Sequence, residues 1–125
     1  MRNDTGFDDI RAVVIDYLEG MIYGDAGQLC RAFHPNALAA GHYQGQFFAT
    51  TREDFIPEWL AAGSIPRGTP FDAEITMIDV TGDIAVVKVT DTCFDNDFTD
   101  YLTLSKFEGG WQIVAKAWFV HPMIG

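Results

Sequence analysis

The sequence predicts an α+β fold in which three N-terminal helices pack against a mainly antiparallel sheet. Apolar residues recur at three- and four-residue steps near the start of the chain, which is typical of an amphipathic helix. From Phe71 onward, β-branched and aromatic residues dominate, and short turn sequences divide them into strands. Ten residues on either side of Gly109-Gly110 read as two long strands joined by a tight hairpin turn.

The first helix is predicted from about Thr5 to Tyr23, with Gly24 placed to end it. A second, short helix begins after Asp25 and stops at His34, since the residue before a proline is pushed out of helical geometry. The first helix is expected to face the protein core with one apolar stripe, made of Phe7, Ile10, Val14, Tyr17, Leu18 and Met21.

A short hairpin is predicted next, from Ala37 to Tyr43 and from Phe47 to Thr50. A third helix follows, capped by Thr51 and Asp54. Pro57 lies inside this helix and removes a hydrogen bond, which predicts a kink or a first turn that is not α-helical.

The four long strands form a predicted meander, with turns at Thr81-Gly82-Asp83, Asn96-Asp97 and Gly109-Gly110. Because side chains alternate along a strand, the turn lengths decide which residues share a face. Following this alternation through each turn places a polar group at one end of the helix-facing side: Glu74, Asp91, Cys93, Asp100 and His121.

The opposite face of the predicted sheet carries an unusual amount of apolar surface, and a patch of this kind on a monomer indicates an interface. We therefore expect a homodimer formed through this outer face, with Tyr101 and Trp118 at its centre. The residues assigned to the outer face include Tyr101, Phe107, Val114, Trp118 and Val120.

Composition limits the classes of function. With 125 residues, 48% hydrophobic and 21% charged, the chain is expected to form a single domain, 1–125. A net charge of −10 opposes binding to nucleic acid and to anionic membranes. No apolar run has the length of a membrane span, and the acidic start does not look like a secretory signal, so a cytoplasmic protein with reduced Cys30 and Cys93 is expected.

Short phrases of the sequence carry a family resemblance: FHPNA (33–37), YLEGM (17–21), TREDF (51–55), VTGDIAV (80–86), FTDYL (98–102) and WQIV (111–114). Together with the element order, they resemble the nuclear-transport-factor-2-like superfamily of SnoaL-like and cystatin-like proteins, and most closely its putative lumazine-binding branch. The resemblance implies a strongly curved sheet that forms a cone with a central pocket. It also implies a planar, pterin- or lumazine-like ligand.

Three residues are the candidate catalytic groups: Asp100, Asp91 and His121. Carboxylates that point into an apolar cone are expected to have raised pKa values, through desolvation and mutual repulsion, which suits general acid–base chemistry. Asp100 lies in the middle of an aromatic strand, whereas Glu74 also fits a solvated rim. His121 either pairs with Asp100 or caps the C-terminal segment.

The candidate ligand-binding residues add side chains that could line the cone: Tyr17, Trp59 and Cys93, together with Asp100 and His121. Tyr17 and Trp59 either belong to the core or stack on a planar ligand. Cys93 is expected to be buried and inert, because nothing basic lies beside it in the sequence. The scattered histidines and cysteines lack ligand spacing, and no cofactor or metal is expected.

Three classes of function therefore remain: a small-molecule-binding protein, a cofactor-free isomerase or lyase of the dehydratase kind, and an interaction protein with a vestigial pocket. The chemistry of the pocket discriminates between them. A buried carboxylate within hydrogen-bonding distance of a tyrosine or histidine favours the enzyme. A wholly apolar cavity favours the binding protein, and a filled one the interaction protein.

Overall fold

The structure, a computed structural model, describes residues 5–93 and 95–122. Two helices come first, a strand pair separates the second helix from the third, and four further strands complete the described chain. The elements are α1 (Thr5–Tyr23), α2 (Ala26–Ala32), β1 (Phe33–Tyr43), β2 (Gln46–Thr51), α3 (Arg52–Ala61), β3 (Ala73–Thr81), β4 (Ile84–Cys93), β5 (Asn96–Phe107) and β6 (Gly110–Val120).

The six strands form one mixed sheet in the order β2-β1-β6-β5-β4-β3. Every neighbouring pair is antiparallel except β1 and β6, which run parallel. The three helices pack against this sheet, so the predicted fold class is confirmed. The core between the two layers is made of fully buried side chains, including Ile10, Val14, Phe33, Val87, Val89, Leu102 and Leu104.

The helix predictions are largely confirmed. The Asp25 carboxylate caps α2 by accepting a hydrogen bond from the Gln28 amide at 3.1 Å. Thr51 precedes α3 but makes no side-chain capping bond, so that part of the prediction is wrong. The α-helix continues through Pro57, which lies only six positions in and therefore costs a single bond near the helix start.

The side chains of β4 and β5 alternate between the two faces of the sheet without a register shift, so the faces predicted for these strands are confirmed. Their turn lies two residues before the predicted Asn96-Asp97, because Cys93 already pairs with Asn96. A shift of two residues leaves every side chain on the predicted face, since the side-chain period of a strand is also two. Ala85, Val87, Val89, Asp91 and Cys93 are accordingly all buried.

A β-bulge in β6 overturns the predicted faces over the second half of that strand. Ile113 pairs with Leu104 and Ala115 with Thr103, so Val114 is the extra residue. Beyond the bulge, Lys116 faces the helices and is 7% exposed, whereas Phe119 faces outward and is 56% exposed. Trp118 turns inward with Lys116, and its predicted place on the outer face is wrong.

A second register shift, in β3, overturns the prediction for Glu74. Ile75 pairs with Val89 while Met77 pairs with Lys88, which leaves Thr76 as the extra residue. Glu74 therefore lies opposite Thr90, is exposed, and does not face the helices. Its side chain is exposed to solvent, which is the alternative given for Glu74 in the sequence analysis.

No helix in residues 5–93 or 95–122 has both the length and the apolar character needed to cross a bilayer.

Candidate functional site

A cavity of about 750 Å³ lies between the helices and the sheet. Its polar floor is formed by Tyr17, Asp100 and Lys116, and apolar or aromatic side chains make up most of its walls. Such a volume suits a small organic ligand. The residues that line it are Tyr17, Met21, Tyr43, Phe48, Ala49, Thr50, Asp54, Glu58, Trp59, Ala62, Cys93, Asn96, Phe98, Asp100, Lys116 and Trp118.

The floor is a chain of short hydrogen bonds between three buried side chains. Lys116 Nζ donates to the Tyr17 hydroxyl at 2.6 Å, and that hydroxyl donates to Asp100 Oδ2 at 2.6 Å. Lys116 Nζ also lies 3.9 Å from Asp100 Oδ2 as an ion pair, with the two side chains 6% and 1% exposed. A buried pair of this kind offsets its desolvation only when further hydrogen bonds are made, and Tyr17 supplies them.

Aromatic rings surround the Lys116 ammonium. Its Nζ atom lies 4.2 Å from the ring centre of Trp59, 4.8 Å from that of Tyr17 and 5.6 Å from that of Trp118. Cation–π attraction of this kind adds to the ion pair with Asp100 in holding the Lys116 side chain in place. The contact with Tyr17 uses one of its N–H groups, so others remain for a ligand.

Gly41 on β1 gives Trp118 the space for its position. A Cβ atom at Gly41 would lie 2.4 Å from two atoms of the indole ring, a distance that no real contact allows. Trp118 also donates from Nε1 to the His42 carbonyl oxygen at 3.1 Å. The parallel pairing of β1 with β6 thus fixes the indole as one wall of the cavity.

The Tyr17 hydroxyl remains a proton donor at physiological pH. Burial, and then the negative charges of Asp100 and Asp91, raise the pKa of Tyr17 well above its ordinary value of 10.0. The neutral phenol donates its one hydrogen bond to Asp100 Oδ2. The floor consequently contains a fixed cation, a neutral hydroxyl donor and a carboxylate.

Two buried carboxyl groups have oxygens without a hydrogen-bond partner among the described residues: Oδ1 of Asp100, and both oxygens of Asp91. Asp91 lies on β4, diagonally across from Asp100 on the same face of the sheet. Burial and then repulsion by Asp100 raise the pKa of Asp91 from 3.8 to about 7.

Among the candidates from the sequence, Tyr17, Trp59, Cys93 and Asp100 all line the cavity. Cys93 is 7% exposed, and burial followed by repulsion from Asp91 raises the pKa of its thiol to about 12. It is therefore a thiol and not a thiolate near neutral pH. Both Cys93 and Cys30 are free.

His121 does not lie in the main cavity. The bulge at Val114 reverses the end of β6, so the predicted helix-facing position of His121 is wrong. Its exposed ring instead lies 2.7 Å from the Thr99 hydroxyl, measured from Nε2 to Oγ1. His121 and Asp91 line a second cavity beside the N-terminal end of β3, and none of the three floor residues lines it.

Sequence reasoning missed Lys116. Its signal was present as a lone lysine within an aromatic and apolar strand, but regular alternation assigned it to the outer face. It also missed Asp54 and Glu58, which line the cavity from α3 and are one helical turn apart. Within the described residues, no group of three or more His, Cys, Asp or Glu side chains could hold a metal ion.

The family model described as "putative lumazine-binding" matches residues 5–119 of this chain. The chain therefore belongs to the putative lumazine-binding family. That description suggests small-molecule binding, in agreement with the cavity.

Comparison with individual proteins gives one characterised relative and several similar folds. The chain is 29% identical over 121 residues to aldolase FrzH of a Cladobotryum species, covering 93% of this chain and 92% of FrzH. A nuclear-transport-factor-2-like protein of unknown function from Silicibacter pomeroyi is 30% identical with a TM-score of 0.88, covering 97% of this chain and 100% of that one. A putative ketosteroid isomerase from Shewanella frigidimarina shares the fold alone, at 18% identity and a TM-score of 0.67, with coverages of 89% and 94%.

Proposed function

We propose that the protein is a lyase of the aldolase type, which breaks or forms the bond between the α and β carbons of a small, planar carbonyl compound. The observation that carries this proposal is the hydrogen bond of 2.6 Å between the Tyr17 hydroxyl and the buried carboxylate of Asp100, with Lys116 attached to both. A pure binding pocket has no need to bury a cation and a carboxylate, because burying charges is costly.

Lys116 would bind the carbonyl oxygen of the substrate, and Tyr17, whose single O–H group donates to Asp100, would hold Lys116 in place. The ammonium has three N–H groups, and its contact with Tyr17 uses one of them. A second N–H can donate to the carbonyl oxygen, on which negative charge develops when the neighbouring carbon–carbon bond breaks. In a site shielded from water, a fixed cation stabilises that charge far more than it would in solvent.

Asp100 would be the base, since its Oδ1 atom is free to accept a proton. In the cleavage direction it takes the proton of the β-hydroxyl group. The bond between the α and β carbons then breaks, an aldehyde leaves, and the electron pair becomes an enolate on the oxygen beside Lys116. The proton held by Asp100 returns to the α carbon, so the carboxylate is regenerated. Bond formation is the reverse sequence.

The relatives support this chemistry without naming a substrate. FrzH is called an aldolase, and the alignment with it spans 93% of this chain. The family description instead favours a second candidate, a binding protein for a planar pterin- or lumazine-like ligand. The aromatic walls, with Trp59, Trp118 and Phe98, would suit either ligand.

Cleavage of 4-hydroxy-4-(6-methoxy-2-naphthyl)-2-butanone tests the proposal, because its aldehyde product is fluorescent and its ring system is planar. Exchange of α-hydrogens of the matching ketone with deuterium oxide, followed by NMR, provides a second readout of enolate formation. We expect both rates to exceed the buffer rate at least 100-fold, a modest value for acid–base and electrostatic catalysis together. Tight binding of lumazine with neither reaction would instead support the binding protein.

We also propose that the outer face of the sheet forms a homodimer interface. Tyr101 at 47% and Phe119 at 56% are among its exposed large side chains. Met77 extends the patch on β3, in the same row as Lys88 and Tyr101. Trp118 takes no part, because it lines the cavity. Light scattering should give a dimer for the wild type and a monomer for Phe119→Glu, and a monomeric wild type would contradict this proposal.

A further inference from the structure

The mouth of the main cavity carries two carboxylates that the proposed chemistry does not use. Asp54 and Glu58 lie four residues apart on α3, so they project from the same side of the helix. Both are exposed, and both line the cavity. Neither forms an ion pair with any cation in the part of the chain that the structure describes.

The positive charge at the floor does not cancel them. Lys116 is already paired with Asp100 and enclosed by aromatic rings, so its charge is largely neutralised before it reaches the mouth. An entering ligand therefore meets two unpaired negative charges first. The net charge of −10 adds to the attraction of cations from solution.

Aromatic rings of the β1–β2 hairpin line the same cavity as these acids. Tyr43 and Phe48 come from the β1–β2 hairpin, line the cavity, and remain 37% and 39% exposed. Ring faces beside carboxylates are the combination that binds organic ammonium ions, because both attract the cation while the rings also bury its apolar part. An inorganic cation has no apolar part that such rings could bury.

A separate observation points to an occupant of this cavity. Asp100 lines it and is 1% exposed, yet its Oδ1 atom has no hydrogen-bond partner among the described residues. A buried acceptor without a donor is costly, and a ligand reaching the floor would supply the donor. The β-hydroxyl group of an aldol is such a donor.

We infer that the substrate is a planar carbonyl compound that carries a basic amine, with the carbonyl end at Lys116 and the ammonium between Asp54, Glu58 and the rings of the hairpin. This inference rests on the proposed lyase function for the carbonyl end only. The amine end uses none of the lyase chemistry: it depends on Asp54, Glu58 and the rings at the mouth, and on the unpartnered Asp100 Oδ1 atom, which indicates that the cavity takes a ligand. Binding and turnover experiments therefore separate the two.

Binding of three naphthalene probes tests the inference without any turnover. At neutral pH, 2-naphthylmethylamine is a cation, 2-naphthylmethanol is neutral and 2-naphthoate is an anion, while the ring system stays the same. Calorimetric titration into wild-type protein should show the cation binding about tenfold more tightly than the alcohol, the equivalent of one carboxylate contact partly screened by solvent. The naphthoate should bind most weakly.

The variant Asp54→Asn/Glu58→Gln should reduce the preference for the cation over the alcohol to less than about twofold. Glu53→Gln/Asp79→Asn removes the same total charge at exposed positions that do not line the cavity, and it should keep most of the preference. Equal binding of amine and alcohol by the wild type would overturn the inference. A preference for naphthoate, a preference unchanged in Asp54→Asn/Glu58→Gln, or no binding of any probe would also overturn it. If the cleavage assay fails, a preference for the cation still supports the amine site. If the preference is absent, cleavage of the naphthyl aldol still supports the lyase.

Discussion

Asp100 and Asp91 are buried on neighbouring strands of the same sheet face, but they lie in different surroundings. Asp100 has a hydroxyl donor at 2.6 Å and an ammonium at 3.9 Å, and it lines the main cavity. Asp91 has no hydrogen-bond partner among the described residues and lines only the second cavity. Burial alone therefore does not define the site. The two carboxyl groups differ in their partners: Asp100 has a hydroxyl group and an ammonium beside it, and Asp91 has neither.

Because their surroundings differ, Asp100 and Asp91 are expected to affect different properties of the protein. Asp100 is held through its Oδ2 atom by Lys116 and Tyr17 and keeps Oδ1 without a partner among the described residues, which suits a base. The pKa of Asp91 is raised to about 7, so this carboxyl group titrates near physiological pH and penalises the folded state when it ionises. The proposed chemistry belongs to the first region, and a pH-dependent loss of stability belongs to the second.

Removal of the lysine that distinguishes the two regions should have the largest effect. Lys116→Met keeps the volume and the apolar stem but removes the charge that stabilises the enolate. We expect cleavage of the naphthyl aldol to slow by about 10²–10³-fold, the range found when a key electrostatic group is removed. Kinetics at saturating probe provide the measurement.

Lys88 offers a matched control for that variant. It lies on β4, faces outward, and its Nζ atom is 5.7 Å from the ring centre of Tyr101, so it also contacts an aromatic ring. Lys88→Met should change the cleavage rate less than about threefold, as expected for a surface substitution. If Lys116→Met and Lys88→Met lose the same amount of cleavage activity, Lys116 has no specific role in the reaction.

Asp91→Asn should alter stability in a pH-dependent way. Because the pKa of Asp91 in the folded protein lies above its ordinary value, the folded chain binds more protons than the unfolded chain between pH 3.8 and about 7. The wild-type contribution to the free energy of unfolding therefore falls as pH rises through that window. Asn cannot ionise and avoids this loss, so the advantage of the variant should grow by about 2 kcal/mol from about pH 5.5 to about pH 8.5.

Urea unfolding at the two pH values measures that change. Glu74→Gln is the control, because Glu74 is an exposed carboxylate on the adjacent strand, and its pH profile should follow that of the wild type. A constant difference between Asp91→Asn and the wild type would mean that Asp91 does not titrate in this range.

Tyr17→Phe should have a smaller effect on turnover. The substitution keeps the ring against Phe33 and Trp59 but removes the hydroxyl between Lys116 and Asp100. The direct ion pair at 3.9 Å remains, so we expect about a tenfold slower cleavage, the loss of one charge-assisted hydrogen bond. A rate equal to that of the wild type would show that Lys116 and Asp100 act without the bridging hydroxyl.

The fold was predictable because local patterns agreed with one another over most of the chain. The stripe of α1 and the alternation of β4 and β5 each depend on regular periodicity, and regular elements keep it. The β4–β5 turn was predicted two residues too late, but the predicted faces were still correct, because a displacement of two residues keeps each side chain on the same face. Asp100, Tyr17 and Trp59 were accordingly found where the sequence placed them.

The rest of the site depends on a β-bulge that leaves no local mark in the sequence. Val114 is an ordinary strand residue, and nothing around it indicates that it is an extra one. That single residue turns Lys116 and Trp118 inward and His121 outward. Bulges commonly re-aim side chains beside functional sites, and they depend on long-range pairing that one sequence does not display.

Turnover of the naphthyl aldol by two asparagine variants tests the central claim most directly. Asp100→Asn keeps the shape of the side chain but removes the base, so its cleavage rate should fall by at least about 100-fold while the probe still binds. Asp91→Asn, measured at the same pH on folded protein, should stay within about threefold of the wild type. Equal rates for the wild type and Asp100→Asn, or a greater loss in Asp91→Asn than in Asp100→Asn, would contradict the assignment of the chemistry to Asp100.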